Sequence, residues 1–220
     1  ACGNTSTKDI VVTIPAALTA SATATPASIC NGDTAQLSTT VSNVVGAASY
    51  VWAPATELSS ATIANPTVTL TATGAPETVT YTVQVTDANG CTATDTTFVT
   101  VNPEVVINAL ADTVINSGTV VPAKFFTTLL TGGVMTYSWT RTNSDVVTGM
   151  DATGTGNVPG ATLYNNTNTA KTTTITVTPT FTANGISCVG ATVSYTITVN
   201  PTIVMDTVAN QAICHGSEIE

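Results

Sequence analysis

The sequence predicts an all-β chain folded as antiparallel β-sandwiches in tandem, and three observations carry that expectation. Threonine fills 50 of the 220 positions, and a β-branched residue suits a half-solvated pleated surface. Apolar and polar residues alternate at period two in Thr80-Tyr81-Thr82-Val83-Gln84-Val85-Thr86, Thr97-Phe98-Val99-Thr100-Val101, Thr174-Ile175-Thr176-Val177-Thr178 and Ser194-Tyr195-Thr196-Ile197-Thr198-Val199. Such runs are antiparallel strands with one wet face. Turn signals at Ala88-Asn89-Gly90, Thr131-Gly132-Gly133 and Ala183-Asn184-Gly185 separate them. Short strands broken by turns every 8 to 12 residues or so form sandwiches.

A recurring punctuation places the joints. Cys30-Asn31-Gly32 returns as Cys214-His215-Gly216, with Asn116-Ser117-Gly118 in the corresponding place between them. Tyr50-Val51-Trp52 is matched by Tyr137-Ser138-Trp139, Cys91 by Cys188, and Val101-Asn102-Pro103 by Val199-Asn200-Pro201. The run Ile10-Val11-Val12-Thr13-Ile14-Pro15 fits the same strand ending, which makes Cys2 the counterpart of Cys91 and Cys188. Residues 1–17 are therefore expected to end a preceding repeat, and 18–103 to form a first complete one. Residues 104–201 form a second with a longer loop, and 202–220 begin a third. Proline stops ladder pairing and extends its predecessor, so each Asn-Pro is a natural boundary. Joints this short imply a semi-rigid rod.

Within residues 18–103, Trp52 follows Cys30 by 22 residues and Cys91 follows Trp52 by 39. A cysteine on each sheet with a buried tryptophan between them is the immunoglobulin-type core. The spacing predicts a Cys30–Cys91 disulfide, whose loop of about 60 residues is worth roughly 4 kcal/mol by chain entropy. Asn116 denies the second repeat this option. Cys188 is then either a buried free thiol or paired outside its repeat, with Cys214 one open partner; the register pairs Cys214 with a cysteine beyond residue 220. The second repeat also carries about ten extra residues between Trp139 and Cys188, expected within the polar stretch Arg141 to Asn168. Loops on a rigid scaffold are where recognition concentrates.

Composition excludes several function classes. Charged residues make up 8% of the chain and the net charge is −9, which favours solubility. Lys8, Lys124, Arg141 and Lys171 are the only basic residues, too few to track phosphates, so no nucleic-acid partner is expected. Anionic membrane surfaces are disfavoured likewise. No run approaches the ~18 apolar residues of a membrane span, and no membrane insertion is expected. Ala1 begins inside strand-like sequence without a basic region and apolar core, so any export signal is expected to lie elsewhere. Five widely spaced cysteines without Cys-x-x-Cys, and one histidine, argue against zinc and for disulfides in an oxidising compartment.

Catalytic chemistry finds little purchase. His215, the single histidine, lies in the last, partial repeat, where a triad-type general base has no setting. The chain is expected not to be an enzyme and to need no cofactor. Gly154-Thr155-Gly156 with Gly160 lacks the strand and helix of a phosphate-cradling loop, and Pro159 interrupts it. Asp87-Ala88-Asn89-Gly90 lacks the later ligands of a calcium loop and reads as a hairpin turn. Asp112, Asp206 and Glu104, near the repeat joints, are candidates for calcium.

The residues that carry this pattern resemble the PKD-like immunoglobulin-fold repeats of very large Bacteroidota surface proteins, including gliding-motility adhesins exported by type IX secretion. In the first repeat the matching elements are Ile29-Cys30-Asn31-Gly32-Asp33, Val51-Trp52-Ala53-Pro54, Asn65-Pro66-Thr67, Tyr81 to Asp87 and Asn89-Gly90-Cys91. In the second they are Tyr137-Ser138-Trp139-Thr140, Thr153-Gly154-Thr155-Gly156, Ile175 to Pro179 and Gly185 to Gly190. The resemblance implies a non-enzymatic stalk, filament or adhesin segment at the cell surface. Its partners would be neighbouring repeats of the same array, surface polysaccharide or other cell-surface proteins. The alternatives are a carbohydrate- or protein-binding accessory module of a secreted enzyme, or a subunit of a self-assembling extracellular fibre completed by strand addition. Asp-Thr followed by a small residue, an apolar residue or threonine is similar to the O-glycosylation signal of that phylum, which makes Thr34, Thr96, Thr113 and Thr207 candidate acceptors.

Overall fold

A computed structural model describes residues 16–143 and 145–203. Cys2, Asp206, Thr207, Cys214 and His215 lie outside the described residues, as do most of the two partial repeats. Every regular element described is a strand, and the fold is an all-β, immunoglobulin-like sandwich architecture. The chain divides into two compact units. The first runs to Val106 and also takes in Thr128–Met135 and Thr180–Gly190; the second comprises Ile107–Thr127, Thr136–Pro179 and residues from Ala191 onward.

The first unit contains β1 (Thr19–Thr25), β2 (Ser28–Cys30), β3 (Thr34–Ser42), β4 (Ser49–Ala53), β5 (Thr67–Thr69), β6 (Glu77–Thr86) and β7 (Thr92–Asn102). One sheet has the order β1-β3-β5 and the other β2-β7-β6-β4. All pairings are antiparallel except β2 with β7, which is parallel and sets Ile29 opposite Val101 and Cys30 opposite Asn102. Alternation turns Leu37, Trp52, Tyr81, Val83, Val85 and Val99 into one dry core. The Trp52 indole N–H donates to the Ile63 carbonyl at 3.0 Å, so the largest side chain is buried without an unmet donor.

The remaining strands are β8 (Thr113–Asn116), β9 (Thr119–Val121), β10 (Val134–Arg141), β11 (Val147–Thr148), β12 (Thr153–Thr155), β13 (Ala161–Asn165), β14 (Lys171–Ala183), β15 (Ile186–Val189) and β16 (Val193–Asn200), and apart from Val134 and Met135 of β10 and the residues named next they belong to the second unit. The last four residues of β14 and all of β15 belong to the first unit. The sheets have the orders β11-β13-β9 and β12-β10-β14-β16-β8, with β15 paired to the end of β14. The β8–β16 pair is parallel and places Asn116 opposite Asn200. That repeats the β2–β7 register, so the equivalence of Asn116 with Cys30 seen in the sequence is a structural one.

β14 shows how threonine builds these sheets. Thr173, Ile175, Val177, Pro179, Phe181 and Ala183 are buried, while the threonines between them face outward. Proline removes a ladder donor and is tolerated in a sheet only at edges and bulges. Here Val177 pairs with Val193 and Thr180 with Val189, leaving Thr178 and Pro179 opposite Gly190, Ala191 and Thr192. The extra residue is a bulge that accommodates Pro179.

Two aspartates close strand margins. The Ala22 N–H of β1 donates to Asp95 Oδ2 at 2.7 Å. The Thr196 N–H donates to Asp112 Oδ1 at 2.7 Å, one residue before β8 begins its own ladder. Accepting these backbone bonds holds both carboxyls below the usual aspartate value of 3.8. A folded-state pKa below the unfolded one gives stability that is present above the unfolded value and lost as pH falls through the folded one. Thermal melts between pH 6 and 2 are expected to show an acid-side loss that Asp95→Asn and Asp112→Asn together make shallower. An unchanged acid limb would remove these two groups from the account.

Candidate functional site: a hairpin clasp and an arginine-ordered loop

The site with the most chemistry in the first unit lies at the far end of β7. Cys30 is bonded to Cys188 of β15, with Cα atoms 5.6 Å apart and 158 positions between them in sequence. Asn102 beside it is fully buried. Its amide nitrogen donates to the Ala183 carbonyl at 3.0 Å and approaches Cys188 Sγ at 3.7 Å, while its Oδ1 accepts from Asn184 Nδ2 at 3.0 Å. Val105, Phe181, Ala183 and Cys188 form a small dry cluster against Cys30, Leu130, Met135 and Ile186. Asn184 and Gly185 turn the hairpin with φ of 52° and 79°, the left-handed pair that a tight Asn-Gly turn requires.

The expected Cys30–Cys91 bond is therefore corrected. Cys91 is a free, exposed thiol that precedes the first residue of β7, whereas Cys30 stands opposite its last, Asn102. The eleven residues of β7 at about 3.3 Å each separate the two by roughly 35 Å, far beyond the ~6 Å reach of a disulfide. Of the alternatives open for Cys188, pairing outside its own sequence repeat is the one that holds. Cys91 belongs instead to a turn. Asp87 Oδ1 accepts from the Asn89 and Cys91 N–H groups, both at 2.9 Å, and this carboxylate cap makes the hairpin reading of Asp87 to Gly90 the right one.

The second unit holds a site that sequence reasoning missed. Arg141 is only 6% exposed and is the pivot of the loop that follows it. Its Nε donates to the Asp151 carbonyl at 3.2 Å, one terminal nitrogen to Val147 at 2.7 Å and the other to Met150 at 2.5 Å. Burial pushes the guanidinium pKa down and the Asp151 charge draws it back up, and arginine stays protonated throughout. The signal was present in the alternation, since Tyr137, Trp139 and Arg141 share the inward face of β10. The loop's strands β11 and β12 fall within the expected insertion, and Gly149, Met150, Asp151, Pro159, Gly160 and Ala161 line a shallow groove of about 360 Å³. Gly154 sits opposite Trp139 in the β10–β12 pair. A Cβ there would stand 2.2 Å from Trp139 Cζ2, so this glycine serves the tryptophan ring rather than a phosphate.

The remaining candidates are dispersed. Thr34 and Thr96 are exposed and Thr113 is half-buried; the Thr34 hydroxyl bonds that of Thr69 at 2.9 Å. Glu104 is exposed, and Asp112 is committed to Thr196. Among the described residues no three acidic, thiol or imidazole groups converge.

Residues 113–203 match the family model of the PKD-like domain. The match covers less than half of the chain, and over those residues the chain is similar to a PKD-like domain. A comparison with curated protein sequences finds no match. Among solved structures the chain is similar to the fibronectin(III)-like modules of Clostridium thermocellum CbhA, at 12% identity, over 87% of this chain and 100% of that one, with a TM-score of 0.32. It is similar to a SusE-like surface located polysaccharide binding protein from the Bacteroides thetaiotaomicron heparin utilisation locus at 12% identity and a TM-score of 0.31. That match covers 88% of this chain and 35% of the other. Mouse cadherin-23 EC22-24 matches at 12% identity over 80% of this chain and 62% of that one, with a TM-score of 0.33.

Non-reducing peptide mapping is expected to recover a Cys30–Cys188 cross-link and an alkylatable Cys91; a Cys30–Cys91 peptide would refute the clasp. Arg141→Lys and Arg141→Ala should each lower stability by about 3 kcal/mol, because buried carbonyls lose donors that a single ammonium cannot replace. Denaturant melts check this, and a change below about 0.5 kcal/mol, the range of ordinary surface substitutions, would show that the loop orders itself without the guanidinium.

Proposed function

We propose that the chain is a non-catalytic structural segment of a long extracellular surface protein or filament, of the kind found in Bacteroidota adhesins, and that it acts as a load-bearing stalk. The observation that carries this reading is the Cys30–Cys188 bond. It ties residues of the first sequence repeat to residues of the second across 158 positions, a cross-link worth about 5 kcal/mol by chain entropy. A disulfide of this reach persists outside the reducing cytosol, which supports a surface location. Under tension applied at the chain ends, the bond takes the load before the strands it encloses can unravel. The PKD-like match of the second repeat and its matching register support a tandem array. Neighbouring repeats are the first partners of such a segment. A second reading, an accessory module that binds polysaccharide, rests on the groove beside the Arg141 loop.

Single-molecule pulling from the two ends tests the stalk reading. The oxidised chain is expected to withhold the length of the 158-residue loop, roughly 540 Å at about 3.4 Å per extended residue, and to release it on reduction. Full extension without reductant would sink the load-bearing role. Specific retention on a glycan array that Asp151→Ala abolishes would favour the accessory module instead.

A further inference from the structure

The two complete repeats end in the same register but differ in what covers that end. Cys30 faces Asn102 across β2–β7, and Asn116 faces Asn200 across β8–β16. Proline follows each asparagine, so Val105 and Ile203 hold equivalent places three residues on. In the first unit the Thr180–Gly190 hairpin lies over this end. Asn102 is fully buried and Val105 is 5% exposed. Gly190 packs so closely there that a Cβ would stand 2.3 Å from the Val105 carbonyl oxygen. In the second unit Ile203 is 89% exposed. Asn116, Ser117, Asn200, Pro201, Thr202 and Ile203 line an open groove of about 520 Å³.

We propose that this groove is the docking site for the corresponding hairpin of a further PKD-like repeat. That occupant is an Asn-Gly turn between two short strands with an apolar inner face. The first unit shows how such a hairpin seats itself, because it holds one on the equivalent residues. The chemistry agrees. The groove's six residues carry no charge, and neither does the stretch from Thr180 to Gly190. Ile203 offers the apolar contact that Val105 makes with Phe181 and Cys188. Asn200 Nδ2 donates to Asn116 Oδ1 at 3.2 Å, leaving amide donors and an acceptor for a hairpin carbonyl and side chain, the two bonds that Asn102 makes. Because Asn116 brings no thiol, the docking is reversible where the first unit's is covalent. This assignment rests on the tandem-array reading and specifies what joins its repeats.

Disulfide trapping on the 220-residue chain tests it. The chain carries Asn116→Cys in a Cys2→Ser, Cys214→Ser background, so that the introduced thiol competes only with Cys91. The probe is a backbone-cyclised peptide of residues 179–191 whose cysteine is held as a mixed disulfide with an aromatic thiol. A protein thiolate attacks the peptide sulfur, the new S–S bond forms, and the aromatic thiolate leaves, so no outside oxidant is needed. Rates are divided by those for the same mixed disulfide of free cysteine, which removes differences in intrinsic reactivity. Capture at position 116 is expected to exceed that at Cys91 at least tenfold, and Ile203→Asp should abolish the excess. Equal rates at the two positions, or an excess that survives Ile203→Asp, would overturn the proposal. Either result, together with a withheld extension of roughly 540 Å in the pulling experiment, would remove this docking site and leave the stalk reading standing.

Discussion

The parallel pairing of β2 with β7 is the constraint on which the clasp depends. β2 is three residues long, and its register against the last residues of β7 fixes where Cys30 points. The Thr100 N–H to Ala27 carbonyl bond, at 2.9 Å, anchors the entry to that pair. From this placement follow a thiol beside a buried asparagine and a surface on which the Thr180–Gly190 hairpin closes. Asn102 then explains why burial there is tolerable. An amide in a dry site costs free energy unless both of its ends are bonded, and this one donates to Ala183 and accepts from Asn184. The covalent bond and the amide bonds select the same hairpin, one by sulfur and the other by backbone geometry.

Much of the fold was legible because threonine alternation reports strand faces directly. The buried and outward positions of β6, β14 and β16 are the ones that period two assigns. The equivalence of Asn116 with Cys30 was legible too, since Asn-Pro fixes the register from the other side. The disulfide was not. Cysteine spacing says how many residues lie between two thiols but not which end of a strand each occupies, and Cys91 sits in the turn after Asn89-Gly90, not on the inward face of β6. Arg141 was legible only by following alternation past Trp139 and accepting a charge on the inner face. Its carbonyl partners come from the loop's own conformation, which no periodicity encodes. Pro179 gave the opposite problem. It reads as a strand breaker, and the strand continues only because a bulge relieves it.

The outer faces explain how a chain with 8% charged residues presents sheets to water. Directly opposed hydroxyls bond each other at Thr34–Thr69, Thr172–Thr198, Thr176–Ser194 and Thr182–Ser187, all within 2.8–2.9 Å. Each opposed pair of this kind contributes a few tenths of a kcal/mol up to about 1 kcal/mol. Together they contribute about 1–4 kcal/mol, less than the cross-link. Hydroxyl pairs are neutral, so they hold across pH and ionic strength where ion pairs would be screened. A surface built from them keeps its hydrogen bonds under varied solution conditions.

On the proposed docking, the exchange of Cys30 for Asn116 at one register position would change the strength of a joint and leave the register of its strands the same. Both residues face an asparagine across a parallel pair, and both precede a turn with glycine two residues on. A thiol there makes the joint covalent, so it yields only to reduction. An amide there would limit the proposed joint to hydrogen bonds and the burial of one side chain, and full burial of an isoleucine is worth about 2 kcal/mol. In the proposed array under tension, such an amide joint would open first and reclose, and the thiol joint would set the length beyond which the chain does not extend. Alternating the two along an array would grade its compliance without altering the sandwich, because the residue that decides it lies at a strand end, outside either core.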